Sequence, residues 1–210
     1  MKQAGEKKRA IQRKDASRSV KGESVLQAAI DLFARYGYRK TSIDEIAEAA
    51  GVSKRTVYLH FDGKEAIFRA MAEYMAGLTR ERFDAALRSK GAAEEKLTAL
   101  LYANYGTAFE RFGASEYVQD LEAAGAELLH ASIVEWAQEY EDRLVAFLRG
   151  LKRSGEISGP PEGLTLSQIV RMTMRGATAA KHDPAIRGDV KVYRERLREL
   201  ALFALAALGN

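Results

Sequence analysis

Cysteine is absent from all 210 residues, which excludes a disulfide framework, a thiolate metal site and a cysteine nucleophile. Proline occurs only at Pro160, Pro161 and Pro184, so nothing in residues 1–159 carries the residue that most strongly breaks a helix. No apolar run approaches the ~18 residues that a membrane span needs. The basic N-terminus lacks the apolar stretch of a secretory signal. Histidine is scarce: His60, His130 and His182 show no paired metal-ligand spacing. Gly63-Lys64 is followed by Glu65 where a phosphate-binding loop needs Ser or Thr, and no G-x-S-x-G occurs. These absences point away from an enzyme, a resident cofactor, a metal and a membrane, and fit a soluble, cytoplasmic protein.

What is present is helical. Ala, Leu, Glu and Arg dominate, all good helix formers, and an all-α protein follows. Charge is uneven: residues 1–21 hold eight Lys/Arg against two acids, residues 22–64 are neutral, and the remainder is slightly acidic. The basic arm, 1–19, has no helical apolar period. It reads as a disordered segment, either a solubilising tail or a nucleic-acid contact.

From Val20 the texture changes. Leu26, Ala29, Ile30 and Phe33 recur at spacings of three and four and predict an amphipathic helix ending at Gly37. Ser42 and Glu45 form a capping box that opens a short helix over Ile43, Ile46, Ala47 and Ala50. Gly51 ends it, and Ser53 caps the next. Two short helices joined by a tight glycine-containing turn make a helix-turn-helix. Asp62 reads as the cap of a longer helix reaching about Leu87, carrying Ile67, Phe68, Met71, Met75 and Leu78.

The segment Ser53–Phe61, SKRTVYLHF, crowds Lys54, Arg55, Thr56, Tyr58 and His60 around Val57, Leu59 and Phe61. Either the charges are ordinary solvated groups, or the polar face meets a partner. On a recognition helix, Arg55 matches the guanine edge and Thr56 a thymine methyl or base edge. Lys54, Tyr58, His60 and Lys64 suit phosphate oxygens, as do Thr41 and Ser42 at the first short helix.

Beyond Gly91 the helices lengthen. One face runs from Leu97 to Phe112, a region around Tyr117–Leu128 is expected to be kinked or broken near Gly125, and a long helix follows from Ile133 to Leu151. RSGEISGPPEG is the clearest loop. Two helices follow, from about Thr165 to Ala180 and from about Asp189. The last ends in LALFALAAL, Leu200–Leu208, apolar on every side, which asks for cover by a partner subunit.

Leu32–Phe68 resembles the DNA-binding domain of the TetR family of bacterial transcriptional regulators. The match rests on Phe33, Gly37, Thr41, Ser42, Ile46, Ala47, Gly51, Val52, Ser53, Thr56, Tyr58, His60, Phe61 and Lys64 at fixed spacing. It covers about Val20 to Met75. The resemblance implies DNA contacts at Thr41, Ser42, Ser53, Lys54, Arg55, Thr56, Tyr58, His60 and Lys64. Many members carry a small residue where Arg55 stands, so no operator is borrowed from relatives. The implied organisation is a basic arm (1–19), a helix-turn-helix domain (20–65) and a helical ligand-binding and dimerisation domain (66–210). It further implies a homodimer through C-terminal helices, a near-palindromic operator in double-stranded DNA, and repression relieved by a small-molecule effector. Candidate cavity walls are Met71, Met75, Tyr105, Phe109, Phe112, Tyr117, Trp136, Tyr140, Met172 and Arg175. Each aromatic or Met position taken alone reads first as plain core, since aromatic stripes at helical spacing usually pack. Arg171 and Arg175 share a helical face and would meet an anionic ligand, or acids across the dimer. The rival reading is a ligand-independent structural or nucleoid-associated DNA-binding protein.

Overall fold

The computed structural model describes residues 2–186 and 188–209, with side chains from Val20 onward. The basic arm, expected to be disordered, is helical from Lys2 on, and its side-chain contacts lie outside the described residues. Among those described, every regular element is helical: α1 Lys2–Lys40, α2 Ile43–Ala49, α3 Lys54–Tyr58, α4 Lys64–Arg88, α5 Ala93–Phe112, α6 Val118–Leu128, α7 His130–Ser154, α8 Leu166–Lys181 and α9 Val190–Ala206. None is long and apolar enough to cross a membrane. α1 is interrupted at Gly37, whose φ of 80° and ψ of 173° are non-helical. The region expected to break near Gly125 is instead a continuous α6, and the break falls at Leu129 (φ −125°). An interior glycine costs a helix only about 1 kcal/mol relative to alanine. Burial of Leu121 and Ala124 beside it outweighs that.

The chain divides into two compact units. Unit 1 comprises Met1–Glu73 and Glu116–Leu128, and unit 2 comprises Tyr74–Ser115 and Leu129–Asn210. The boundary expected at residues 65 and 66 thus falls inside the uninterrupted helix α4.

In unit 1, α1 packs against α2, α3 and α6. The buried residues are Val25, Ala29, Ile30 and Phe33 from α1, Ile46 and Ala47 from α2, Val57 from α3, and Ile67, Phe68 and Met71 from α4. Three rings close its centre, with Phe33, Tyr38 and Phe68 centroids 4.9 to 5.7 Å apart in tilted and edge-on geometry, the arrangement aromatic quadrupoles favour.

In unit 2, α5 packs chiefly on α9, and α8 packs on α7 and α9. Tyr193 of α9 is fully buried. Its ring lies 4.2 Å from that of Phe109 and its hydroxyl donates to the Ala177 carbonyl at 3.0 Å. Burial raises its phenol pKa. The Gly/Pro loop starts at Gly155, the left-handed cap of α7. The loop is tied to the C-terminal end by the Ser158 and Gly159 amides, which donate to the Leu208 carbonyl. Tyr193→Phe keeps the ring and loses one hydrogen bond, so it should cost about 1 kcal/mol in urea unfolding. Tyr193→Ala should cost about 3–5 kcal/mol, the range for deleting a core aromatic side chain.

Candidate nucleic-acid interface

Why α2 starts where it does follows from its cap. The Ser42 amide and hydroxyl both donate to the Glu45 carboxylate (2.7 and 2.8 Å), and the Glu45 amide donates back to Ser42 Oγ (3.2 Å). Those two hydrogen bonds from Ser42 hold the Glu45 carboxyl below its usual pKa. Gly51 takes φ of 65° after α2, the left-handed turn that a side chain would strain. Ser53 then caps α3: the Thr56 amide donates to Ser53 Oγ at 3.1 Å, and the two hydroxyls share a further bond at 2.9 Å.

α3 has five residues, and Val57 is its only buried one. Helical rotation turns the neighbours of Val57 outward. Arg55 is exposed, Tyr58 is 51% exposed and Leu59, just past the helix, is 55% exposed. In the sequence Leu59 alternates with the polar residues just as Val57 and Phe61 do. The helical period, in place of strict alternation, turns it outward. Lys54 reaches across to Asp44 of α2 at 3.0 Å, and this contact raises the pKa of its ammonium. Both partners are exposed, so the pair adds little stability and yields readily to a phosphate.

The other candidate DNA contacts divide. Ser42 and Ser53 are exposed but committed to caps. Thr56 is half-buried and shares its hydroxyl with Ser53. Thr41 is buried, and its hydroxyl donates to the Gly37 carbonyl at 2.7 Å, so it is placed to hold backbone and not phosphate. The His60 ring lies against α1 at Gly22, where an added Cβ would come within 3.0 Å of Nδ1. Lys64 donates to the carbonyls of Tyr38, Arg39 and Thr41 at 2.9, 3.3 and 3.0 Å.

Sequence reasoning missed the residues that brace this region from α6. Asp120 accepts the Arg39 amide at 3.0 Å and its carboxylate pairs with the Arg39 guanidinium at 3.4 Å. Lys40 lies over the Tyr117 ring at 4.8 Å and donates to its hydroxyl. A Cβ on Gly37 would meet the Asp120 carboxylate at 2.6 Å and Tyr117 at 3.0 Å. Nothing local in the sequence links residues about eighty positions apart; Gly37 itself was the one legible signal.

The proposed cavity walls are divided between the two units. Met71 and Tyr117 belong to unit 1, and Tyr117 is engaged by Lys40. Within unit 2, Phe109 is core against Tyr193, while Tyr105 and Tyr140 are pushed up to about 12 by burial. Met75, Phe112 and Trp136 are half-buried. Met172 is 58% exposed and Arg175 is exposed, so neither lines an interior wall of this chain. Arg171 pairs at 2.6 Å with Glu141 of α7 in the same chain.

Taken together, the two capped short helices, the fixed turn and the outward Arg55 and Tyr58 define a helix-turn-helix DNA-binding unit attached to a larger helical unit. Residues 25–71 match the family model of the bacterial regulatory proteins, tetR family. Among curated relatives, it is 40% identical over 62 residues to the uncharacterized HTH-type transcriptional regulator YerO of Bacillus subtilis, covering 30% of this chain and 22% of YerO. It is 32% identical over 77 residues to the fatty acid metabolism regulator protein of Bacillus subtilis, covering 37% of this chain and 40% of that protein. The chain therefore aligns with less than half the length of these relatives. The whole-chain fold is similar to FadR of Bacillus halodurans, with a TM-score of 0.68 at 20% identity over 88% of this chain and 94% of that one. It is also similar to Bacillus subtilis FadR solved with stearoyl-CoA, with a TM-score of 0.63 at 20% identity over 88% and 98% of the two chains.

Glu45→Gln tests the cap by pH. Because the folded-state pKa of Glu45 is depressed, its contribution is complete above the ordinary carboxylate value and is lost as pH falls through the lowered one. Amide-exchange protection of α2 should fall with acid in the native protein and be flatter with pH in Glu45→Gln. Ser42→Ala should weaken α2 by about 1 kcal/mol at neutral pH.

Proposed function

We propose that the protein is a sequence-specific transcriptional regulator, acting in the cytoplasm as a homodimeric repressor on a near-palindromic operator. The observation that carries this reading is the outward face of α3. Arg55 and Tyr58 stand exposed on a helix fixed by Val57 and the Ser53 cap, beside a Lys54 held only by a surface pair. Arg55 is the base reader, through bidentate contact to guanine. Lys54 and Tyr58 hold phosphates and set the register. Ser42, Ser53, Thr56 and His60 line the approach.

The dimer is supported by what α8 and α9 leave uncovered. Ala201, Ala204, Leu205 and Leu208 are buried within the chain's own unit 2, yet Phe203 is 69% exposed, and Leu202 and Met172 are exposed with it. A soluble monomer rarely leaves such residues grouped on two packed helices. Pairing of two copies there gives two recognition helices, which need a spacing of ~34–36 Å to read one duplex face.

The effector is a small, hydrophobic or aromatic molecule received by unit 2. Support comes from the aromatic content of α5 and α7, Tyr105, Phe109, Trp136 and Tyr140; the fold is shared with a protein solved with stearoyl-CoA. At 20% identity that likeness carries the fold and not the ligand. Release requires the effector to prefer the conformer that cannot bind DNA; equal affinity for both would shift nothing. α4 runs unbroken from unit 1 into unit 2 and is the covalent path for the change.

Arg55→Ala should relax preference at one base position, at a cost of about 1–3 kcal/mol on the preferred site. Tyr58→Ala should instead weaken all sequences alike; identical base preferences in Arg55→Ala would remove it as a reader. Phe203→Glu should convert the dimer to a folded monomer in sedimentation, and an unchanged dimer would move the interface elsewhere. A protein whose DNA affinity no hydrophobic small molecule alters is the ligand-independent alternative.

A further inference from the structure

The chain leaves α1 at Gly37 and must deliver Ser42 to the start of α2 within four residues. Over that stretch the carbonyls of Tyr38, Arg39 and Thr41 are turned toward a single point. The Lys64 ammonium occupies it, donating to all three at 2.9, 3.3 and 3.0 Å. The same ammonium stands 4.5 Å from the centre of the Tyr38 ring. Tyr38 in turn packs on Phe33 and Phe68, the centre of unit 1. An ammonium has three donors on a tetrahedral head, which suits three converging carbonyls. A cation near the carbonyl end of a helix also opposes the partial negative charge there.

We propose that Lys64 is a positioning residue for DNA binding, which fixes the α1–α2 junction through these three carbonyls and so sets the placement of α2 and α3, and that it does not hold phosphate. The inference rests on the DNA-binding reading above, but its consequence for the free protein does not. With its three donors already used, Lys64 would have to release the junction in order to reach a phosphate. Thr41 supports the same turn from within, closing onto Gly37, and Asp120 takes the Arg39 amide on the other side. The junction's polar backbone groups are therefore met by α4, by α6 and by its own threonine.

Three variants separate positioning from phosphate contact. Lys64→Met keeps the stem and removes the ammonium. Lys64→Arg keeps the charge but offers planar donors. Lys54→Met removes an exposed cation from α3. Binding is measured against potassium chloride on a duplex recovered by selection with the native protein. Loss of a phosphate contact lowers the log–log salt slope by about 0.9 per protomer. Lys54→Met should show that drop. Lys64→Met should lose roughly tenfold or more in affinity, a change equal to about 1.4 kcal/mol, with the slope unchanged. Lys64→Arg should lose affinity comparably. A lower slope in Lys64→Met, or full affinity in Lys64→Arg, overturns the proposal.

The second readout needs no DNA and is taken on the full-length free protein. Amide exchange over residues 38–47 should quicken in Lys64→Met and Lys64→Arg and stay native in Lys54→Met. Native protection in both Lys64 variants overturns the proposal even if the native protein binds no DNA. Quickened exchange in a protein that selects no sequence would keep the junction role and fail the DNA-binding reading instead.

Discussion

A helix of five residues cannot hold itself in water, because forming the first turn fixes several residues for a single hydrogen bond. α3 is such a helix, and everything it presents depends on what pins it. One side chain, Val57, is buried, one cap, Ser53, satisfies its first amides, and the helix is packed against α1 and α2. The outward directions of Arg55 and Tyr58 follow from the inward direction of Val57. Short length is then an advantage: the helix has no independent stability, so its geometry is that of unit 1.

That dependence gives weight to the junction after α1. A shift of the Gly37–Thr41 backbone moves the Ser42 cap and with it α2. Three independent devices oppose it: the Lys64 ammonium, the Thr41 hydroxyl and the Asp120 carboxylate. One of these comes from α6, a helix whose chain neighbours α5 and α7 belong to unit 2. The chain therefore passes between units three times, within α4 and at each end of α6. A change in unit 2 has covalent routes both to α4, which carries Lys64, and to α6, which carries Asp120.

Local chemistry made much of this legible. Caps at Ser42 and Ser53, and turns at Gly37 and Gly51, are readable because a cap or a left-handed residue acts within four positions. The TetR-like spacing located the DNA-binding region for the same reason. What the sequence does not display is non-local or rotational. Leu59 alternates with polar residues as Val57 does, and the helical period turns it outward. At Thr41 and Lys64 a sequence shows a hydroxyl and an ammonium but not the carbonyls they meet. Arg171 found its acid, Glu141, thirty residues away in its own chain. The aromatic wall was the weakest expectation, since periodicity finds buried faces without saying whether they enclose space. On the apolar tail, one side of α9 is covered by its own unit, and the side bearing Phe203 is exposed.

The most direct test of the central claim is selection of bound duplexes from a random pool by the native protein at ~150 mM salt, where non-specific binding is suppressed. The account predicts recovery of an inverted repeat with half-sites about one helical turn apart, centre to centre. Recovery of no common sequence, with any retained binding vanishing as salt rises, would contradict it.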